Sequence, residues 1–120
     1  MTYDHVIKAG ETLADQWFHL ACGYCTTTSF FFEAWELSVT IDCNGTFTFR
    51  SPAGERTVKA KPMRGGRGCY MDIFITTGET LRFRLPEYDW WDNYPNCDGE
   101  SDRWDATVTG TRDEITWPLT

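Results

Sequence analysis

Polar and apolar positions alternate along most of this sequence. Trp35-Glu36-Leu37-Ser38-Val39-Thr40-Ile41 alternates strictly, which predicts a strand with Trp35, Leu37, Val39 and Ile41 on one face. Asp42-Cys43-Asn44-Gly45 follows, and Asn-Gly is the preferred pair for a tight hairpin because both positions tolerate positive φ. Thr46-Phe47-Thr48-Phe49-Arg50 alternates again, with Phe47 and Phe49 inward. Ser51 to Gly54 reads as a second turn and Arg56 to Lys61 as a third strand. Further along, Cys69 to Thr76 and Glu79 to Leu85 flank a turn at Thr77-Gly78. In the second of these, Leu81, Phe83 and Leu85 share a face that Arg82 and Arg84 avoid. The two ends add His5 to Lys8, Thr12 to Leu20, Trp104 to Thr109 and Glu114 to Leu119. Over 12–20 the spacing of Leu13, Trp17 and Leu20 also suits a helix.

Eight or nine short strands, with turn signals roughly every 8–12 residues, predict an all-β fold. The expected architecture is an antiparallel β-sandwich of jelly-roll type, with a closed barrel as the other way of burying such strands. A chain of 120 residues fits one domain over 1–120 and buries enough surface to need no staple. No apolar run approaches the ~20 residues of a spanning helix, and Phe30-Phe31-Phe32 is only three long. Transmembrane helices are therefore not expected.

Charge divides the chain into three parts. Residues 1–49 carry six acids against Lys8, residues 50–84 carry eight bases against three acids, and residues 85–120 carry nine acids against Arg103 and Arg112. The total of −7 argues against duplex nucleic acid as a partner, since neutralising phosphates needs a basic face. The opening Met1-Thr2-Tyr3-Asp4-His5 lacks the basic-then-apolar pattern of a signal peptide. A secreted mature form and a cytoplasmic protein both remain open on that reading.

Aromatic content changes the picture most. Eight Phe, six Trp and five Tyr exceed what a core of this size needs, so part of the surplus is expected outside, where exposed aromatic surface usually has a partner. Trp35 belongs with the core, Trp104 and Trp117 with terminal strands, and Trp17 with either. Trp90 and Trp91 are adjacent, so in an extended chain they point opposite ways and one of them needs a reason to be outside. They lie in segment 86–104, which shows no strand pattern and is longer than an ordinary loop. Tyr88, Trp90, Trp91 and Tyr94 alternate there with Asp89, Asp92, Asn93 and Asn96. Aromatic rings pack on the C–H face of a pyranose while carboxylates and amides bind its hydroxyls, and a few oriented polar groups on aromatic walls make a ligand site. A loop folded over a sheet edge, with Trp90 or Trp91 plugging the core, is the structural alternative.

Other features weigh less. Asn96, Asp98, Glu100 and Asp102 place oxygen at every second position, the chemistry of Ca²⁺, but without the glycine and terminal glutamate of an EF-hand; a solvated acidic turn explains them as well. Cys22-Gly23-Tyr24-Cys25 has redox spacing without a βαβ setting. With Cys43, Cys69 and Cys97 single and His5 and His19 completing no pattern, zinc has no second pair of ligands. Disulfide pairing among five cysteines is left open. Arg64 and Arg67, on the glycine-rich Met63 to Gly68, suit an anionic group or a charged hairpin tip. Asn44-Gly45-Thr46 is a glycosylation sequon that the hairpin turn already explains. No catalytic constellation emerges, because acids are too dense for any carboxylate pair to stand out, and no cofactor is expected.

Length, acidity, tryptophan content and the all-β pattern together resemble the aegerolysins, small β-sandwich proteins that recognise membrane lipids. Their D-C-P-W-G segment is not matched by the nearest stretch, Asp92-Asn93-Tyr94-Pro95-Asn96-Cys97, so the resemblance transfers no residue roles. The expected function is non-enzymatic binding of a glycan, lectin-like, through 86–104. A lipid headgroup held by tryptophans and by Arg64 and Arg67 is the first alternative. The second is an acidic inhibitor or immunity protein covering a basic partner.

Overall fold

The computed structural model describes residues 2–22, 27–42, 46–59, 69–84, 105–110 and 115. Its elements in chain order are β1 (His5–Ile7), β2 (Gln16–Cys22), β3 (Thr28–Phe32), a 3-10 turn (Glu33–Trp35), β4 (Leu37–Ile41), β5 (Thr46–Ser51), β6 (Gly54–Lys59), β7 (Cys69–Thr77), β8 (Thr80–Arg84) and β9 (Asp105–Thr109). They form two sheets, one ordered β1-β3-β4-β5-β6 and the other β2-β7-β8-β9. The all-β sandwich expected from the alternation is therefore present.

The two inner faces share one core. Phe30, Phe32, Leu37, Val39, Phe47 and Phe49 of the first sheet bury against Ile73, Ile75, Leu81, Phe83 and Val108 of the second. Phe83 is the rivet between the layers. Its ring meets Phe32 and Phe49 at 5.6 Å and Phe47 at 6.5 Å, all steeply inclined, as the quadrupoles of aromatic pairs favour.

Three details depart from the sequence pattern. The pairing is antiparallel except between β1 and β3, which run parallel, because the chain crosses to the second sheet for β2 before returning. Thr28–Phe32 is a strand that alternation does not reveal: Phe30, Phe31 and Phe32 are consecutive, yet Phe31 faces outward, where Tyr3 stacks on it at 5.0 Å. Trp35 is buried, as expected, but it enters the core from the 3-10 turn rather than from the strand. Glu36 then takes a left-handed φ of 45°, and β4 begins only at Leu37.

The alternative helix over 12–20 is absent, since β2 occupies Gln16–Cys22. The segment before it is held by Thr77, a buried threonine at the end of β7. The Leu13 amide donates to Thr77 Oγ1 at 2.9 Å, the Thr77 amide donates to Leu13 O at 2.9 Å, and Thr77 Oγ1 donates to Glu11 O at 3.3 Å. Where β1 meets β3, Asp4 and Ser29 clasp each other. The Ser29 amide donates to Asp4 Oδ2 at 2.8 Å, and the Asp4 amide donates to Ser29 Oγ at 3.0 Å, locking the start of β1 to β3.

Candidate functional site

Strand alternation in the second sheet turns Phe18, Ile73, Ile75, Leu81 and Phe83 inward. It therefore sends Trp17, Phe74, Thr76, Arg82 and Arg84 to the outer face. The register lines three of these up across neighbouring strands, because Trp17 pairs with Phe74 and Phe74 pairs with Arg84. At the usual strand spacing of ~4.8 Å this row spans roughly 10 Å, the scale of a small sugar.

Trp17 is 56% exposed, unusual for the largest apolar side chain, and lies beside Phe74 with ring centroids 6.4 Å apart and planes tilted by 37°. The Arg84 guanidinium carbon sits 5.0 Å from the Phe74 centroid, a cation–π arrangement that presses the planar group on the ring. Arg84 Nη2 is also 3.2 Å from Asp15 Oδ2. Asp15 precedes β2 with a left-handed φ of 50°, which aspartate tolerates better than most residues. Its amide donates to Thr76 Oγ1 at 3.2 Å, and the Thr76 hydroxyl donates to its carboxylate.

That hydroxyl holds the Asp15 carboxyl below the ordinary aspartate range; desolvation opposes it, and the charge and hydrogen bond of Arg84, then the charge of Arg82, reinforce it. The result is two aromatic faces flanked by a fixed set of donors and acceptors. Guanidinium N–H groups, a carboxylate and a hydroxyl stand within one cross-strand row of each other.

The sequence-predicted site residues Tyr88, Asp89, Trp90, Trp91, Asp92, Asn93, Tyr94 and Asn96 lie outside the described residues, as do Arg64 and Arg67. The same holds for Cys25, Cys43, Cys97, the possible calcium ligands 98–102, Trp104 and Trp117. The topology nevertheless fixes where segment 85–104 begins and ends. It leaves β8 after Arg84 and returns at Asp105, and those two residues are register partners. The two residues that flank the aromatic, acidic segment, Arg84 and Asp105, thus belong to the same cross-strand row as Trp17 and Phe74.

Trp17 and Phe74 were not singled out by the sequence. The signal that marks them is an aromatic at the outward parity of two strands: Trp17 beside inward Phe18, and Phe74 between inward Ile73 and Ile75. Among the described residues, no cluster of three or more His, Cys, Asp or Glu side chains is placed to hold a metal ion. Among them, too, no helix is long and apolar enough to cross a membrane. No family model matches the sequence, and neither the curated proteins nor the solved structures give a match to it.

Proposed function

We propose that this protein is a non-enzymatic carbohydrate-binding module whose ligand lies on the outer face of the second sheet. The observation that carries the reading is Trp17, exposed on β2 and lying beside Phe74. Asp15, Thr76 and Arg84 are already fixed beside it by mutual hydrogen bonds. A pyranose laid on the indole would place its C–H face on apolar surface and its hydroxyls toward that rim, and little side-chain freedom would be lost on binding. The segment containing Tyr88, Asp89, Trp90, Trp91, Asp92, Asn93, Tyr94 and Asn96 would supply a second wall, since Arg84 and Asp105, which flank it, belong to this row. A charged rim so close to the indole suits hydroxyl recognition better than insertion among lipid tails.

A glycan array with wild-type protein, Trp17→Ala and Trp90→Ala tests the reading, with liposome co-sedimentation run alongside. Binding of a sugar class that falls at least tenfold in Trp17→Ala, while the variant stays folded, supports it. Sugar binding unaffected by Trp17→Ala refutes the placement. Co-sedimentation with vesicles in the absence of any glycan signal replaces the sugar with a lipid surface.

A further inference from the structure

β2 and β7 form a ladder running from Gln16↔Ile75 to Cys22↔Cys69. β8 pairs with β7 only over Phe74–Thr77, so from Phe18↔Ile73 onward the described strands leave β2 and β7 as a two-stranded ribbon. Such ribbons are marginal alone, because each strand has a partner on one side only. Among the described residues, the last register pair of this one is two cysteines.

Residues directly opposite in an antiparallel ladder have Cα atoms roughly 4.5–5.5 Å apart, inside the roughly 4.4–6.8 Å that a cystine spans. We propose that Cys22 and Cys69 form a cross-strand disulfide that ties β2 to β7 at the end of their described ladder. The proposal rests on register alone and is independent of what the outer face binds. It also gives the C-x-x-C spacing a different meaning. Cys22 takes a partner 47 positions further along the chain instead of Cys25, so the pair 22–25 is not a redox couple.

The bond forms by exchange with a low-molecular-weight disulfide such as oxidised glutathione. One cysteine thiolate attacks the small disulfide and releases one small thiol. The second thiolate then displaces the other. The protein loses two electrons and two protons, the small disulfide gains both, and one S–S bond replaces another.

The test is disulfide mapping of the full chain after equilibration with oxidised glutathione. Cleavage after Tyr24 separates Cys22 from Cys25, and cleavage after Arg67 separates Cys69 from everything before it. The expected product is a cross-linked peptide pair containing Cys22 and Cys69, and it should disappear on reduction. In a variant carrying Cys25→Ser, Cys43→Ser and Cys97→Ser, both remaining thiols should become unreactive in oxidant and reappear with reductant. Cys22 linked to Cys25, Cys43 or Cys97 in the wild-type protein overturns the proposal, as do Cys22 and Cys69 both staying free in the oxidised wild type.

Discussion

Replacing Thr77 by valine keeps the shape of the side chain and removes one oxygen, which isolates what that oxygen does. Thr77 is only 3% exposed, so water cannot take over its hydrogen bonds. Without the hydroxyl, the buried Leu13 amide loses its acceptor and Glu11 O loses a donor. Leaving a buried donor unpaired costs about 1–3 kcal/mol. For a domain of this size that corresponds to roughly 3–15 °C in Tm. Thr77→Ser provides the control, because it keeps the hydroxyl and loses only a buried methyl, worth about 0.5–1.5 kcal/mol.

The expected order of stability is therefore wild type, Ser, Val. It can be read by urea unfolding followed by circular dichroism and by calorimetry. Hydrogen exchange adds a local readout, since the Leu13 amide should lose protection in Thr77→Val and keep it in Thr77→Ser. A valine variant as stable as the serine variant, with the Leu13 amide still protected, would show that Thr77 is not the anchor of residues 11–15. The result also bears on the site, because Asp15 is carried by that anchored segment. Loosening it should weaken ligand binding without touching any aromatic ring.

Phe83→Ala should destabilise by about 3–5 kcal/mol, since it removes a fully buried ring that touches three phenylalanines of the opposite sheet; denaturant titration showing a loss below 1 kcal/mol would contradict its bridging position. The Asp15 carboxyl titrates below the ordinary aspartate value, so its contribution is present above that value and is lost as pH falls from about 4 through the lower folded one. A side-chain NMR titration should show this depression and its partial relief in Thr76→Val; an unchanged midpoint in that variant would exclude the hydroxyl as the main cause.

The readable part of the fold is the part whose physics is local. β4 and β5 are legible because Leu37, Val39, Ile41, Phe47 and Phe49 alternate and the turn-favouring pair Asn-Gly lies between them in the sequence. β3 was hidden because its outward Phe31 is apolar, and the reason it can be apolar is Tyr3, which comes from a distant part of the chain. Trp35 is core, as its apolar parity predicts, but it sits outside the strand, because a 3-10 turn ending in a left-handed Glu36 leaves no trace in alternation. The outer-face site was hidden for a related reason. Trp17, Phe74 and Arg84 come from three strands, and only the register of β2, β7 and β8 makes them neighbours. The aromatic excess led to segment 86–104, which lies outside the described residues; around it, Arg84 and Asp105 pair in the row of Trp17 and Phe74.

β1 has three residues, and its partners along β3 are Phe30, Phe31 and Phe32. Without it, the margin of the first sheet would present the free backbone of a strand ending in three phenylalanines. A strand of that composition, unpaired and uncharged, is a template for another copy of itself. The short N-terminal strand therefore acts as a selvedge on the sheet. Its parallel seam with β3, pinned by Asp4 and Ser29, covers the backbone edge on which another copy could otherwise add a strand. Trimming β1 would bare that edge to other copies and would also take Ile7 out of the core.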